Sequence, residues 1–355
     1  MRVLFITQYG PLAASSRTRV FQYLPFLERA GIDTRVRVVI PDRMSAGIGR
    51  RGAARRLLYY VASFLRTIWV GVGCVLTGWR YDRILIQKVL FPAPIATLLR
   101  RWRSRILFDF DDAVFTSEDT KGFVRGLIAD RRRKSLPRML WASAIAIVEN
   151  EYTRSFANDW CDRVEIITGP IDTDRYTTRE REASSGVVLG WIGSSTTTVY
   201  LDLISVVLAE VAATRPDVSL KLIGALPFEA GGMRIEQHDW SIETEVDLLN
   251  SFDIGLMPLP DDEWTRGKGG YKLLQYGAVG LPVVSSPVGV NAEIVDHGKT
   301  GFLANSDAEW IEGLTKLIDD ADLRTRMGQA GRERMLERYG LSRSSERLVD
   351  ILRSC

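Results

Sequence analysis

The chain has 355 residues, 46% hydrophobic and 26% charged, a composition that excludes a disordered tail, a collagen-like chain and a small disulfide scaffold. Its length exceeds what one hydrophobic core usually fills, so two domains are expected. The net charge of +3 hides an asymmetry: residues 1–175 carry 29 Lys and Arg against 17 Asp and Glu, and the remainder carries 18 against 27. Such a basic half suits a phosphorylated acceptor, an anionic membrane or nucleic acid, or is a solvated arginine surface. The three cysteines (Cys74, Cys161, Cys355) lie far apart with no Cys-x-x-Cys pair, which argues against a zinc ribbon or a disulfide framework and for the cytoplasm. Two histidines, His238 and His297, leave no room for a His-rich metal site.

Met1–Ile6 opens as a strand rather than a secretory leader. Ser15 and Ser16 cap a helix that ends at Gly31, with a kink expected at Pro25. Val36–Ile40 reads as the next strand. The run Leu57–Gly78 holds Arg66 as its only charge and follows Arg50, Arg51, Arg55 and Arg56. It reads as a buried core helix or one lying on anionic lipid, with a membrane span disfavoured by the central arginine. Strands follow at Arg83–Gln87, Arg105–Phe108, Ala144–Val148 and Val164–Ile167. The second half repeats the scheme, with strands Val187–Ile192, Val218–Ile223, Asp253–Met257 and Pro282–Ser286, and helices near 198–214, 270–280, 307–319 and 322–338. Apolar strands alternating with helices predict parallel sheets covered on both faces. The expected organisation is α/β: a doubly wound domain over 1–172, a linker over 173–186, a second domain over 187–340, and a helix over 341–355 packing back toward the first domain. Ligands of such sheets bind at the carboxyl ends of the strands, so a cleft there is expected.

Four segments at strand ends carry candidate chemistry. After Ile192, the turn Gly193-Ser194-Ser195-Thr196 leads into a helix start, a place where N–H groups and hydroxyls hold phosphate, or a plain N-cap. In Arg266–Tyr276, Gly269 and Gly270 permit close backbone approach and Lys268 and Lys272 supply two cations one turn apart, suited to a leaving diphosphate. Gln275 lies one turn further on, within reach of a ribose hydroxyl. Asp109, Asp111 and Asp112 follow a strand as a general base, a sugar-hydroxyl acceptor or a divalent-metal site, or as a capping cluster paired with arginines. Ser16, Arg17 and Arg19 open a helix after the first strand and suit an anionic group or an acceptor. Familiar fingerprints fail: Gly298-Lys299-Thr300 would need a glycine where Glu293 stands, and Gly71 and Gly73 would need one at Leu76.

The run DIGLMPLPDDEWTRGKGGYKLLQYGAVGLPVVSSPVGVNAEIVDHGKTGFL (253–303) resembles the donor-binding core of family-4-type, group 1 retaining glycosyltransferases of the GT-B fold. Weaker blocks of the same group follow in the same order at 15–32, 106–115, 148–176 and 190–201. The resemblance implies two Rossmann-like domains facing across a cleft, the first for the acceptor and the second for the donor. It implies transfer of a sugar from a nucleoside diphosphate sugar, with retention and with no obligatory metal or other cofactor. Gly193–Thr196, Gly269, Gly270, Tyr271 and Gln275 would then bind donor. Ser16, Arg17, Arg19, Asp109 and Asp112 would bind a sugar, lipid-linked or small-molecule acceptor. No nucleic acid would be involved. Many relatives work at the cytoplasmic membrane face, in keeping with the basic half.

Three features depart from the family pattern. Gly267 and Gln275 stand where many members have a Glu-x7-Glu pair, Gly193–Thr198 lacks the usual Arg and Lys, and Asp111 stands roughly where a His is common. Lys268 and Lys272 would supply the missing charge, with Asp111 as a further catalytic candidate. An epimerase or hydrolase on the same fold would want more acids or histidines in the cleft. A basic module for nucleic acid or membrane would rest on the arginine clusters at 50–56, 100–105 and 131–133.

Overall fold

The structure is a computed structural model that describes residues 1–45, 52–116, 123–179 and 186–354; Arg50, Arg51, Cys355 and the 180–185 part of the expected linker lie outside these. The chain forms two compact units, Met1–Pro170 with Leu341–Cys355, and Ile171–Gly340. The second unit therefore starts earlier than expected. Tyr176, inside the proposed linker, is 1% exposed and belongs to the core of the second unit.

The first unit is built on β1 (Arg2–Tyr9), β2 (Asp33–Ile40), β3 (Arg83–Gln87), β4 (Ile106–Phe110), β5 (Ile145–Val148) and β6 (Val164–Ile166), in the order β2-β1-β3-β4-β5-β6. All its pairings are parallel. Val3, Leu4, Phe5 and Ile6 of β1 are all fully buried, which is why the strand is a continuous apolar run: crossover connections cover both faces. The chain enters at β1, adds β2 on one side and returns to β3 on the other. That reversal creates a crevice at the carboxyl ends of β1 and β3.

The second unit follows the same plan with β7 (Val188–Ile192), β8 (Ser219–Ile223), β9 (Arg234–His238), β10 (Ile254–Met257), β11 (Val283–Ser285) and β12 (Gly301–Leu303), all parallel, in the order β12-β11-β10-β7-β8-β9. Its reversal lies between β7 and β10. The two edge strands, β9 and β12, escaped the sequence reading. β9 (Arg-Ile-Glu-Gln-His) is mostly polar and largely exposed, and β12 has only three residues; an edge strand pairs on one side and needs no apolar run.

Three helices differ from expectation. The helix near Pro25 is not kinked but broken: Ala14–Arg19 ends at Val20 (φ −135°), and Pro25 sits in the first turn of a new helix, Leu24–Arg29, where its missing N–H costs nothing. The helix expected over 198–214 begins as a 3-10 segment, Thr198–Ile204, before the α-helix Ser205–Thr214. The apolar run becomes the helix Ala53–Thr77. It is only partly buried, and by length and composition it is long and apolar enough to cross a membrane. Val70, Cys74 and Val75 enter the core, Arg66 donates through Nε to the Val39 carbonyl at 2.7 Å, and the opposite face is exposed.

The helix Leu341–Arg353 belongs to the first unit. Leu348, Ile351 and Leu352 cluster with Val3, Phe5, Leu107 and Ile147 on one face of the first sheet. Leu352 is fully buried, so Leu352→Ala should remove about 2–5 kcal/mol from the first unit. Urea melts followed by near-ultraviolet circular dichroism check this; an unchanged midpoint would mean the helix contributes nothing to that core.

Candidate active site

In the first unit, the polar residues at the strand ends are mostly consumed by each other. Arg19 is 3% exposed and Asp109 2%. The Arg19 guanidinium meets Asp109 Oδ2 at 2.5 Å and Glu149 Oε2 at 2.8 Å, and also donates to the Ile167 carbonyl. Gly169 N–H donates to Glu149 Oε1 at 2.5 Å. Burial disfavours the charged guanidinium, but Asp109 and Glu149 more than offset that and hold Arg19 above its ordinary range. Burial likewise raises the Asp109 carboxyl and pushes Glu149 up to about 7, against the pull of Arg19. Arg19 and Asp109 therefore do not meet an acceptor; they join the helix after β1 and the end of β4 to the turns after β5 and β6. Removing one partner would leave a buried charge uncompensated.

Ser16 is also removed from the acceptor list. It is fully buried, donates to Gln87 Oε1 at 3.0 Å and accepts from Tyr9 N–H at 3.3 Å. Gln87 Nε2 donates to Ser15 Oγ at 2.8 Å, so this amide ties the β1 side of the crevice to β3. Arg17 is half-buried and donates to the Leu12 carbonyl at 3.4 Å.

β4 ends at Phe110, so Asp109 lies within the strand and Asp111 and Asp112 follow it. Both meet Lys88, Asp111 Oδ1 at 2.8 Å. Lys88 is the one non-glycine described residue with positive φ, 60°, and this turn after β3 aims its side chain at the two acids. Burial works against the Asp111 carboxylate, but Lys88 overcomes it and the carboxyl lies below its usual value. An acid held ionised in this way serves as a hydrogen-bond acceptor better than as a proton donor. Lys88 and Glu149 were missed by the sequence reading: each is a single charge beside an apolar strand, with no local motif.

The second unit is arranged differently. Gly270 adopts the left-handed conformation (φ 62°) at the start of the helix Tyr271–Ala278, and an added Cβ there would lie 2.6 Å from Ile294 Cδ1. The turn sets Lys268 just before the helix and Lys272 in its first turn. The Lys268 Nζ lies 5.2 Å from the Trp264 ring centre and 5.9 Å from that of Tyr200, and the Lys272 Nζ lies 5.2 Å from that of Trp191. Burial and the like charge of Lys268 push the Lys272 ammonium down to about 7, and no acidic group among the described residues counters them. A helix N-terminus adds positive potential at the same place.

Trp191, on β7, also explains Gly193. A Cβ at Gly193 would lie 2.3 Å from Trp191 Cη2, so the glycine makes room for the indole that faces Lys272. Ser194, Ser195 and Thr196 are exposed in the turn that follows, with Ser194 Oγ and Thr196 Oγ1 2.9 Å apart. The segment that follows is 3-10 over Thr198–Ile204 rather than the start of an α-helix. Gln275 is 5% exposed and donates to Tyr176 Oη at 3.1 Å. Tyr176 and Trp240 both donate to the buried Glu245 carboxylate, so Gln275 supports this network rather than a ribose. Gly269 and Tyr271 flank Gly270 at the helix start, half-buried. The structure thus gathers the catalytic candidates Lys268 and Lys272 with the donor candidates Gly269, Gly270 and Tyr271 around one helix start, joins Gly193 to them through Trp191, and engages Gln275 with Tyr176 instead.

Solved structures share this architecture. Sucrose-phosphate synthase from Thermosynechococcus elongatus superposes with a TM-score of 0.71 at 13% identity, over 99% of this chain and 98% of that one. Anabaena Alr3699/HepE in complex with UDP-glucose superposes at 0.69 with 14% identity over 100% of both chains. At these identities the likeness shows the fold, that of the GT-B glycosyltransferases. Residues 186–320 match the family model for glycosyl transferases group 1: the second unit belongs to that family. A stretch of 162 residues is 30% identical to the GDP-mannose-dependent monoacylated alpha-(1-6)-phosphatidylinositol monomannoside mannosyltransferase of Corynebacterium glutamicum, over 41% of each chain. A shorter stretch of 77 residues is 27% identical to spore coat protein SA of Bacillus subtilis, over 21% of this chain and 20% of that one. The matched stretches span less than half of these curated relatives.

The Glu149 carboxyl yields a test of the buried cluster. Its proton is held up to about 7 in the folded chain, against an ordinary value of 4.5. Between those values the folded state binds more protons than the unfolded one, so this group's contribution to stability falls as pH rises through that window. Glu149→Gln should remove this slope. Urea midpoints at about pH 5 and about pH 7.5 compare the two proteins; a variant with the parent's full slope would contradict the assignment.

Proposed function

We propose that this chain is a glycosyltransferase that moves a sugar from a nucleoside diphosphate sugar to an acceptor hydroxyl with retention of anomeric configuration. The observation that carries the reading is the Lys268–Lys272 pair at the start of the helix Tyr271–Ala278, beside the reversal of the second sheet. Two cations, a helix N-terminus and a hydroxyl-rich turn make a site for a diphosphate. When the bond from the sugar C1 to the diphosphate oxygen breaks, negative charge grows on the departing phosphate. The two ammonium groups favour that change because they are already in place. The acceptor oxygen bonds to C1 on the face from which the diphosphate departs, which gives retention, and passes its proton to the departing phosphate oxygen. No step needs a metal. That relatives bind UDP-glucose or use GDP-mannose, as their names say, supports a nucleotide sugar as donor.

The first unit is assigned the acceptor, with Asp111 and Asp112 as half-exposed hydrogen-bond acceptors for sugar hydroxyls and Arg17 at the rim. The acceptor is a sugar or a lipid-linked sugar. The setting is the cytoplasm, at the inner face of the membrane; the buried free thiols of Cys74 and Cys161 suit that compartment.

A thermal-shift panel of UDP, GDP, ADP and dTDP, with NAD as control, tests the donor. A ligand at about 100 times its dissociation constant adds about 2.7 kcal/mol, so one nucleoside diphosphate should raise the melting temperature by several degrees. With the matching nucleotide sugar, Lys268→Ala should keep the fold and lower turnover about 10²–10³-fold. A shift with NAD alone, or an alanine variant with near-normal turnover, would overturn the reading.

A further inference from the structure

The helix Ala53–Thr77 carries no acidic residue. One face enters the first unit's core. On the other, Leu57, Val61, Leu65, Trp69, Val72 and Leu76 recur every three or four residues and are 43–74% exposed. This stripe runs for about 30 Å at 1.5 Å per residue, longer than the apolar patches that soluble surfaces ordinarily leave open. Arginines border it. Arg131 stacks on Phe64 with its guanidinium carbon 4.5 Å from the ring centre, and Arg80 on the exposed Trp79 at 5.1 Å. Arg55 and Arg56 are exposed in the helix's first turn.

We infer that this face docks on an anionic lipid bilayer, with the helix lying in the plane of the interface. An apolar stripe edged by arginine and tryptophan has the chemistry of the boundary between acyl chains and headgroups. The charge is complementary: cations border the stripe, and the helix has no carboxylate to repel phosphate. The opposite face is fixed to the sheet, through Arg66 and the buried Val70 and Cys74, so the helix lies on the bilayer and does not cross it. Its first turns also reach past the sheet. Tyr59 meets Tyr9 at the end of β1, the same edge that holds Lys88, Asp111 and Asp112. Docking therefore brings the first unit's polar crevice to the membrane surface.

Flotation of the full chain with vesicles reads this independently of turnover. It should bind vesicles of phosphatidylcholine with about 30% phosphatidylglycerol at low salt and bind pure phosphatidylcholine far more weakly. Binding should weaken with salt and blue-shift the tryptophan emission. The double variant Leu65→Ser, Trp69→Ser should bind at least about tenfold more weakly, and Arg80→Gln with Arg131→Gln about fivefold more weakly per arginine. All four side chains project from the core, and unchanged circular dichroism confirms that the variants fold. No binding at low salt, or binding that the Leu65 and Trp69 changes leave intact, overturns the inference. So does a self-associating parent whose double variant is monomeric, since the stripe would then be covered by a second copy.

Discussion

The Lys272 ammonium sits half-buried against an indole, one turn from a second lysine, and at a helix end that is already positive. Burial, the second lysine and the helix end all disfavour its charge, and the face of the Trp191 ring offsets them only in part. Such an arrangement is costly for an empty protein and useful for one that binds an anion, because the anion compensates both ammonium groups and the helix end together. The surrounding fold serves this placement. Gly270 makes the left-handed turn that starts the helix, Gly193 makes room for Trp191, and the sheet reversal between β7 and β10 leaves the strand ends open.

The first unit solves the opposite problem. Its cations are matched: Arg19 by Asp109 and Glu149, and Lys88 by Asp111 and Asp112. The buried Arg19 cluster faces no ligand, and Lys88 with Asp111 and Asp112 leaves the crevice an excess of carboxylate that suits hydroxyl groups better than phosphate. The net positive charge of the first half therefore lies elsewhere, partly in the arginines that edge the helix Ala53–Thr77. The proposed division of labour, an anion site in the second unit and a hydroxyl site in the first, rests on this contrast.

Most of the fold was legible in the sequence because the central strands are buried on both faces and appear as unbroken apolar runs. Val3–Ile6 and Arg83–Gln87 are of this kind. The polar edge strand Arg234–His238 carried no such signal, and neither did three residues at Gly301–Leu303. The lysine pair was legible because both members lie within one short glycine-rich run. Ser16, Arg19 and Asp109 looked equally functional, since charge and hydroxyl content do not reveal burial. Their partners Gln87 and Glu149 are 71 and 130 residues away in the chain, and only the folded sheet brings them together. Trp191 shows the same limit from the other side: within its strand it reads as core, and its ring meets Lys272 from another segment.

The central claim is that Lys272 waits for a diphosphate. Its ammonium is brought down to about 7 in the ligand-free chain, so at about pH 8 it is mostly neutral. Bound anion restores its charge, so binding must take up a proton, and affinity must fall as pH rises above about 7. Isothermal titration calorimetry of UDP and GDP, in two buffers of different ionisation enthalpy at about pH 8, measures this directly. The account predicts uptake of nearly one proton for the nucleotide that binds, abolished by Lys272→Met. Binding without proton uptake would contradict it, and so would the absence of binding by either nucleotide.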